Sequence, residues 1–143
     1  MEDEKLIPRI LIADAGVLFS AIAYDGPEST VLDSKMFQFM IAPHVIEELV
    51  AALPEFGFGR QEIMRSVYHA GVDVIGGSPE RSCMDEAWRL IGGRDPSDVS
   101  TVALALSTEN DGIWSSDKDF DGLVGIIKVW SSRELLGRGA KKD

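Results

Sequence analysis

The sequence has one cysteine, two histidines and few basic residues. Cys83 has no second cysteine with which to form an internal disulfide bond, and together with His44 and His69 it is too small a set for a Cys/His zinc site. This cysteine usage is typical of a reducing compartment, so we expect a cytoplasmic protein. The 14 Lys and Arg against 24 Asp and Glu give a net charge of −10. That balance excludes a surface that is basic overall and attracts nucleic acid at long range.

Long hydrophobic runs are absent as well. No apolar stretch approaches the roughly 20 residues that cross a bilayer, and residues 1–9 lack the cationic head and apolar segment of a signal peptide. We therefore expect no membrane partner. The 143 residues, 45% hydrophobic and 27% charged, have the size and composition of one folded domain. We expect that domain to span residues 1–143, with 137–143 as a loose tail.

Short apolar segments alternate with segments of helical periodicity. Strands are predicted at 10–13, 36–42 (where a helix is the alternative), 72–75, 113–115 and 126–129. Helices are predicted around 17–22, at 43–53, 60–70, 79–91 and 96–108, and after Ser131, with a loop at 25–29 and an acidic turn at 117–123. Parallel strands need crossover helices, so the alternation predicts an α/β fold: a parallel sheet of about five strands with helices on both faces.

Two acidic residues directly follow predicted strands. Asp14 comes after the first strand, and Asp117 comes just after the fourth. In an open α/β sheet the ligand site lies beyond the carboxyl ends of the strands, which makes both acids candidates for chemistry. Taken alone, an aspartate in such a position is more often a turn residue or a helix cap.

Helical spacing singles out two further acids. At 100° per residue, Glu48 borders the apolar arc of its helix, whereas Glu47 points the opposite way into solvent. Asp98 lies on the same stripe of its helix as the apolar Val102, where a carboxylate needs a partner because burying it unpaired is costly. The alternative for Asp98 is helix capping together with Asp95, which precedes it by three residues.

The four candidate acids are Asp14, Glu48, Asp98 and Asp117. If they converge, their like charges raise one another's pKa unless a cation neutralises them. Ligand sets made only of oxygen atoms favour hard ions such as Mg²⁺ or Mn²⁺. A magnesium ion held by a few carboxylates keeps open positions for phosphate oxygens. The pattern therefore predicts a site that hydrolyses phosphodiesters.

The sequence resembles the PIN domains, the nuclease fold of VapC-type toxins and of several RNA-processing enzymes. The similarity extends through nearly the whole chain. It is carried by ILIADAGVLFSAI from Ile10, APHVIEELV from Ala42, DPSDVSTVALAL from Asp95 and IWSSDKDF from Ile113. The order and spacing of the last two blocks are the most specific.

The resemblance implies that the four acids are the catalytic and metal-binding quartet, with Asp119 as a further metal ligand. It also implies supporting roles for Ser20 in the first helix and for Ser116, directly before Asp117. Members of the family usually have Asp-Thr-Asn in the first block, whereas Ala15 and Gly16 stand here. If those missing side chains orient the first carboxylate, metal binding should be about tenfold weaker.

The activity that the resemblance implies is hydrolysis of single-stranded RNA by a Mg²⁺- or Mn²⁺-dependent endoribonuclease, with 5′-phosphate and 3′-hydroxyl products. RNA is then the substrate, a homodimer is the expected assembly, and an antitoxin protein is the partner if the chain is a toxin. The alternative is a catalytically weak PIN-like binding module that acts with a partner in RNA processing or ribosome maturation.

Two other small α/β classes with acidic magnesium pockets fit the sequence poorly. A receiver domain would need paired acids after the first strand, where Ala13 precedes a single Asp14, and an acid after the third strand. A haloacid-dehalogenase-type phosphatase would need a second aspartate at position 16, which is Gly16. The second class is excluded.

Overall fold

The structure, a computed structural model, describes residues 6–77, 79–94 and 96–141, without the side chain of Ser97. Within this part of the chain five strands form one sheet in which all neighbours are parallel, in the order β3-β2-β1-β4-β5. The strands are β1 (Ile10–Ala13), β2 (Gln38–Ile41), β3 (Val72–Val74), β4 (Ile113–Trp114) and β5 (Val129–Trp130). The expected α/β fold with five parallel strands is confirmed.

α-Helices occupy the connections from β1 to β2, from β2 to β3 and from β3 to β4. The connection from β4 to β5 contains a 3₁₀ helix. The α-helices are α1 (Ala15–Ala23), α2 (Pro27–Asp33), α3 (Pro43–Ala52), α4 (Arg60–His69), α5 (Arg81–Ala87), α6 (Val99–Ser107) and α7 (Ser132–Gly137). Shorter 3₁₀ helices lie at Leu53–Phe56, Pro96–Asp98 and Lys118–Leu123, and α5 continues into a π-helical turn at Trp88–Gly92. No helix in the described part of the chain is both long and apolar enough to span a lipid bilayer.

Alternate residues of each strand face two separate hydrophobic cores. In β1, Leu11 and Ala13 belong to a first core that is covered by α1 to α4 and α7. Ile12 belongs to a second core that is covered by α5 and α6. The alternation follows from the period of two of a strand, and it explains why β1 is apolar on both sides.

The strand order places β1 at the centre, between β2 and β4. The chain first builds the sheet outward through β2 and β3, and then crosses over the second core to add β4 on the other side of β1. This reversal opens a crevice at the carboxyl ends of the strands, where open α/β sheets bind ligands. A receiver domain has the order 2-1-3-4-5, so the topology excludes that class.

Two sequence predictions about secondary structure are wrong. The last strand begins at Val129 rather than Ile126, because the N–H groups of Ile126 and Ile127 both donate to the Leu123 carbonyl in a turn. The predicted loop at 25–29 contains the start of α2, whose first residue is Pro27. In addition, the helix predicted at 79–91 begins two residues later and ends in the π-helical turn.

The segment after Gly137, expected to be a loose tail, is attached to the domain as far as Ala140. Arg138 Nε donates a hydrogen bond to the Leu6 carbonyl over 2.8 Å. Ala140 is buried in the first core. The attachment joins both ends of the described chain, which a sequence pattern of glycine and charged residues does not reveal.

Candidate active site

Asp14 lies directly after the central strand, at the N-cap of α1. Its Oδ1 accepts a hydrogen bond from the Val17 N–H over 2.9 Å, and its Oδ2 accepts one from the Ser115 hydroxyl. The side chain is nearly inaccessible, since only 5% of Asp14 is exposed. The helix-cap interpretation is therefore correct for one oxygen, while the other oxygen is held by a residue 101 positions away.

The register of the sheet explains why Ser115 meets Asp14. Ala13 of β1 lies beside Trp114 of β4. The residues that follow them, Asp14 and Ser115, therefore also lie side by side. Both side chains face the second core, because they are two residues beyond Ile12 and Ile113. Asp14 and Ser115 thus form part of one row across the carboxyl ends of the strands.

Ser115 also connects Asp14 to Asp117. Its hydroxyl oxygen accepts a hydrogen bond from the Asp117 N–H over 3.0 Å, and the residue is buried. The family resemblance implies a supporting role for Ser116, the exposed neighbour of Ser115. The hydroxyl that contacts Asp14 is that of Ser115. Alternate residues of a strand face the same side, so Ser115 shares the side of the buried Ile113. This period of two could have indicated Ser115 from the sequence.

The pKa of Asp14 is raised above the ordinary value of an aspartate. Burial is the main cause, and the negative charge of Asp117 adds to it. Hydrogen bonds from Ser115, Val17 and Gly16 act in the opposite direction without cancelling the rise. A cation beside Asp14 would relieve the cost of this charge, which is the electrostatic property expected of a metal ligand.

The two other acids of the IWSSDKDF block lie in the turn after β4. Asp117 is exposed and caps the 3₁₀ helix Lys118–Leu123, since its Oδ1 accepts a hydrogen bond from the Asp119 N–H over 2.8 Å. Asp119 is half-buried. The predicted acidic turn is thus a 3₁₀ helix, and the role of Asp119 as a metal ligand stays a prediction.

Asp98 precedes α6, which packs against the second core beneath Asp14. The helix begins at Val99 after a 3₁₀ turn, and Asp98 occupies its N-cap without a side-chain capping hydrogen bond. Only 9% of Asp98 is exposed. The alternative for Asp98, a capping interaction with Asp95, involves a residue outside the described ranges and stays a prediction.

Glu48 lies on α3, which approaches the sheet from the face of the first core. Its Oε1 is 3.7 Å from His44 Nε2, and burial lowers the pKa of that histidine, which favours the neutral ring. Glu47 is exposed and pairs with Arg60 over 3.6 Å, as the helical spacing predicts. Glu48 is half-buried, so it is the acid of α3 that lies closer to the interior of the domain.

The structure joins Asp14 and Asp117 through Ser115, whereas Glu48 and Asp98 lie on helices that cover opposite faces of the sheet. Among residues 6–77, 79–94 and 96–141, no three His, Cys, Asp or Glu side chains form a group able to hold a metal ion. Magnesium sites often use only one or two carboxylates, completed by water and substrate phosphates. The Asp14 and Asp117 carboxylates, buried and exposed respectively, fit such a site.

Ser20 is half-buried on α1. Its carbonyl oxygen accepts the N–H of Tyr24, the C-cap residue of that helix. Its supporting role stays a prediction.

Replacing Ser115 by alanine is expected to weaken the binding of Mn²⁺ about 10- to 100-fold. The substitution removes the hydroxyl that orients Asp14, and losses of this size are typical when a group that orients a metal ligand is removed. Calorimetric titration with MnCl₂ measures the effect. Ser116→Ala, which changes the exposed neighbour, is the matched control and should bind Mn²⁺ as the wild type does. Equal affinities of the two variants would show that Ser115 does not orient a ligand.

The raised pKa of Asp14 predicts how stability depends on pH in the absence of metal. Because the folded state holds this proton more tightly than the unfolded state, the stabilisation is complete below about pH 4 and is lost as the pH rises through the raised pKa. Asp14→Asn removes this loss. In urea melts with EDTA, the variant should gain stability relative to the wild type between about pH 3 and about pH 7. A difference that does not change with pH would contradict the raised pKa.

A known protein family matches most of the chain. A family model described as PIN domain matches residues 12–137, which extend from β1 to the end of α7 and contain all four candidate acids. The chain matches no curated protein.

Proposed function

Because this chain belongs to the PIN domain family, whose members are generally nucleases, we propose that it is a Mg²⁺- or Mn²⁺-dependent endoribonuclease acting on single-stranded RNA. The observation that carries the proposal is the hydrogen-bonded series Asp14, Ser115 and Asp117 at the carboxyl end of the central strand. It supplies a buried carboxylate with a raised pKa beside a second, exposed carboxylate.

In this proposal Asp14 and Asp117 are metal ligands, and Asp98, Asp119 and Glu48 are further ligands or bind through water. A bound divalent ion would polarise the phosphate and lower the pKa of the attacking water. Ser115 holds Asp14 in one orientation, so that its carboxylate is preorganised before substrate binds. Where Glu48 is not a ligand, it is the base that orients the water. No side-chain nucleophile is required.

The replacement of the usual Thr and Asn by Ala15 and Gly16 is compatible with activity. Asp14 is oriented by the N–H groups of Val17 and Gly16 and by the Ser115 hydroxyl, none of which depends on the side chains at positions 15 and 16. The loss of the two side chains is thereby partly compensated. We expect an active enzyme that binds its metal more weakly than a member with the complete motif.

A catalytically weak binding module is the second candidate. The absence of a three-residue metal group in the described part of the chain favours it. The two candidates differ in metal affinity. Calorimetry that detects no binding of Mn²⁺ at millimolar concentration would support the module, whereas saturable binding that Asp14→Asn abolishes would support the nuclease.

A homodimer is part of the proposal because the chain carries a net charge of −10. Contacts with phosphate normally supply non-specific affinity for RNA, and a homodimer would place basic residues of one copy beside the acidic groove of the other. Light scattering on the purified protein measures the assembly. If the protein is a toxin, an antitoxin protein is its further partner, and co-purification with the product of a neighbouring gene tests that step.

The substrate class is tested with four fluorescent oligonucleotides of the same sequence: single-stranded RNA, an RNA hairpin, single-stranded DNA and duplex DNA. We expect cleavage of the single-stranded RNA in Mn²⁺, products with 5′-phosphate ends, and no cleavage in EDTA. Cleavage that persists in EDTA, or that is faster on either DNA, would contradict the proposal.

A further inference from the structure

A groove of about 540 Å³ lies beside Asp14 at the carboxyl ends of β2 and β3. It is bounded by the start of α3, the segment after β3, the start of α5 and the outer side of α6. Its lining includes Ile75, Glu80, Met84, Leu104 and Ser107. We call it the β2–β3 groove. Its volume is within the range of pockets that bind small organic groups.

The register of the sheet makes the groove continuous with the candidate active site. Ile12 of β1 lies beside Met40 of β2, so Asp14 lies beside Ala42, which lines the groove. Neighbouring parallel strands are about 4.8 Å apart. On the facing helix, Ser100 lines the groove two residues after Asp98. A nucleotide attached to a phosphate at Asp14 would therefore reach this groove.

The residues that line the groove determine whether it suits the phosphate or the base of that nucleotide. None of the described residues that line the groove is Lys or Arg, and Glu80 adds a negative charge. Walls of this charge disfavour a phosphate. Ile75, Met84 and Leu104 instead offer an apolar surface to a flat ring. Ser107 also lines the groove, and its hydroxyl donates a hydrogen bond to the Leu104 carbonyl over 3.3 Å.

We propose that the β2–β3 groove binds the base of the nucleotide next to the scissile phosphate, and that Glu80 selects a base with an exocyclic amino group. This rests on the proposed nuclease function. Glu80 precedes α5 and makes no side-chain capping hydrogen bond to it. Its carboxylate therefore remains available as an acceptor, and carboxylates accept hydrogen bonds from the amino group of cytosine. Uracil carries an oxygen at the same position and would be disfavoured.

The first test removes the base. After the main cleavage site in a fluorescent oligoribonucleotide is mapped, each flanking nucleotide is replaced in turn by an abasic ribose. One of these substrates should lose at least about tenfold in kcat/KM, a typical effect of removing one base contact. Ser107→Phe, which fills the groove, should cause a similar loss with the intact RNA and no further loss with that abasic RNA. Ser82→Phe, on the exposed side of α5, is the matched control and should behave as the wild type.

The second test concerns base preference. With cytosine or uracil at the position identified by the abasic substrates, the wild type should cleave the cytosine RNA about tenfold faster. Glu80→Gln should reduce this ratio below about threefold. A wild type that cleaves both RNAs equally would overturn the role of Glu80.

The outcomes separate this proposal from the proposed function. A wild type that cleaves intact and abasic RNA at equal rates, together with a Ser107→Phe variant of unchanged activity, would overturn the groove proposal and leave the nuclease intact. A loss in Ser107→Phe that is equally large with abasic RNA would also overturn it. A wild type that cleaves no RNA in Mn²⁺ would overturn both.

Discussion

Replacing Asp14 by asparagine should lower the rate of RNA cleavage at least about 100-fold. The substitution keeps the size of the side chain and an oxygen that caps α1, but it removes the negative charge that a divalent ion needs. Stabilisation of transition-state charge by a metal ion amounts to several kcal/mol, and each 1.4 kcal/mol corresponds to about a factor of 10 in rate. Rates with fluorescent single-stranded RNA in Mn²⁺ measure the effect.

Glu47→Gln is the matched control for this substitution. It also replaces one carboxylate by an amide, but Glu47 is exposed and paired with Arg60 on the outer side of α3. Its rate should remain within about twofold of the wild type. Comparable cleavage by Asp14→Asn and Glu47→Gln would mean that the cleavage does not come from this site.

Saturating Mn²⁺ should stabilise the folded protein by about 2.7 kcal/mol when the ion is at 100 times its dissociation constant. For a domain of this size the melting temperature then rises by roughly 8 °C. The gain combines metal binding with relief of the charge on Asp14, whose burial raises its pKa. Thermal melts with EDTA, Mg²⁺ and Mn²⁺ measure it.

Asp14→Asn should lose most of the stabilisation by Mn²⁺, while Glu47→Gln should keep it. An equal shift in both variants would show that the ion binds elsewhere on this acidic protein. No shift in the wild type would favour the binding module over the nuclease.

The sequence pattern predicts the central strand of the sheet because that strand is apolar on both faces. Residues Ile10 to Ala13 form an uninterrupted apolar run, and the structure buries their two sides in different cores. Pro43 and Gly71 mark a helix start and a helix end where the structure has them. The helix predicted after Ser131 is α7, which begins with a capping box of Ser131 and Glu134.

The errors arise where tertiary contacts outweigh local preference. Ile126 and Ile127 have strong strand propensity, yet they form a turn because the chain must return from the 3₁₀ helix after β4. The start of α2 at Pro27 lies among residues that favour turns, such as Asp25 and Gly26, so the sequence pattern predicts a loop there. Gly26 and Ser29 nevertheless form a capping interaction there, since the Gly26 N–H donates to Ser29 Oγ over 3.1 Å.

The candidate site could be predicted only in part. Acids that follow parallel strands share one edge of the sheet, and this general rule brings Asp14 and Asp117 together. Recognising Ser115 requires the register between β1 and β4, which depends on long-range packing. The distances from Glu48 and Asp98 to this pair depend on two helices on opposite faces, so helical periodicity alone cannot fix them.

Anomalous diffraction from crystals soaked in MnCl₂ tests the central claim most directly, that a divalent ion binds at the carboxyl end of β1. We expect one strong manganese peak within about 2.2 Å of a carboxylate oxygen of Asp14, with Asp117 coordinating directly or through water. The peak should be absent from Asp14→Asn crystals. A fully soaked wild-type crystal with no manganese at Asp14, or with manganese only at surface carboxylates elsewhere, would contradict the account.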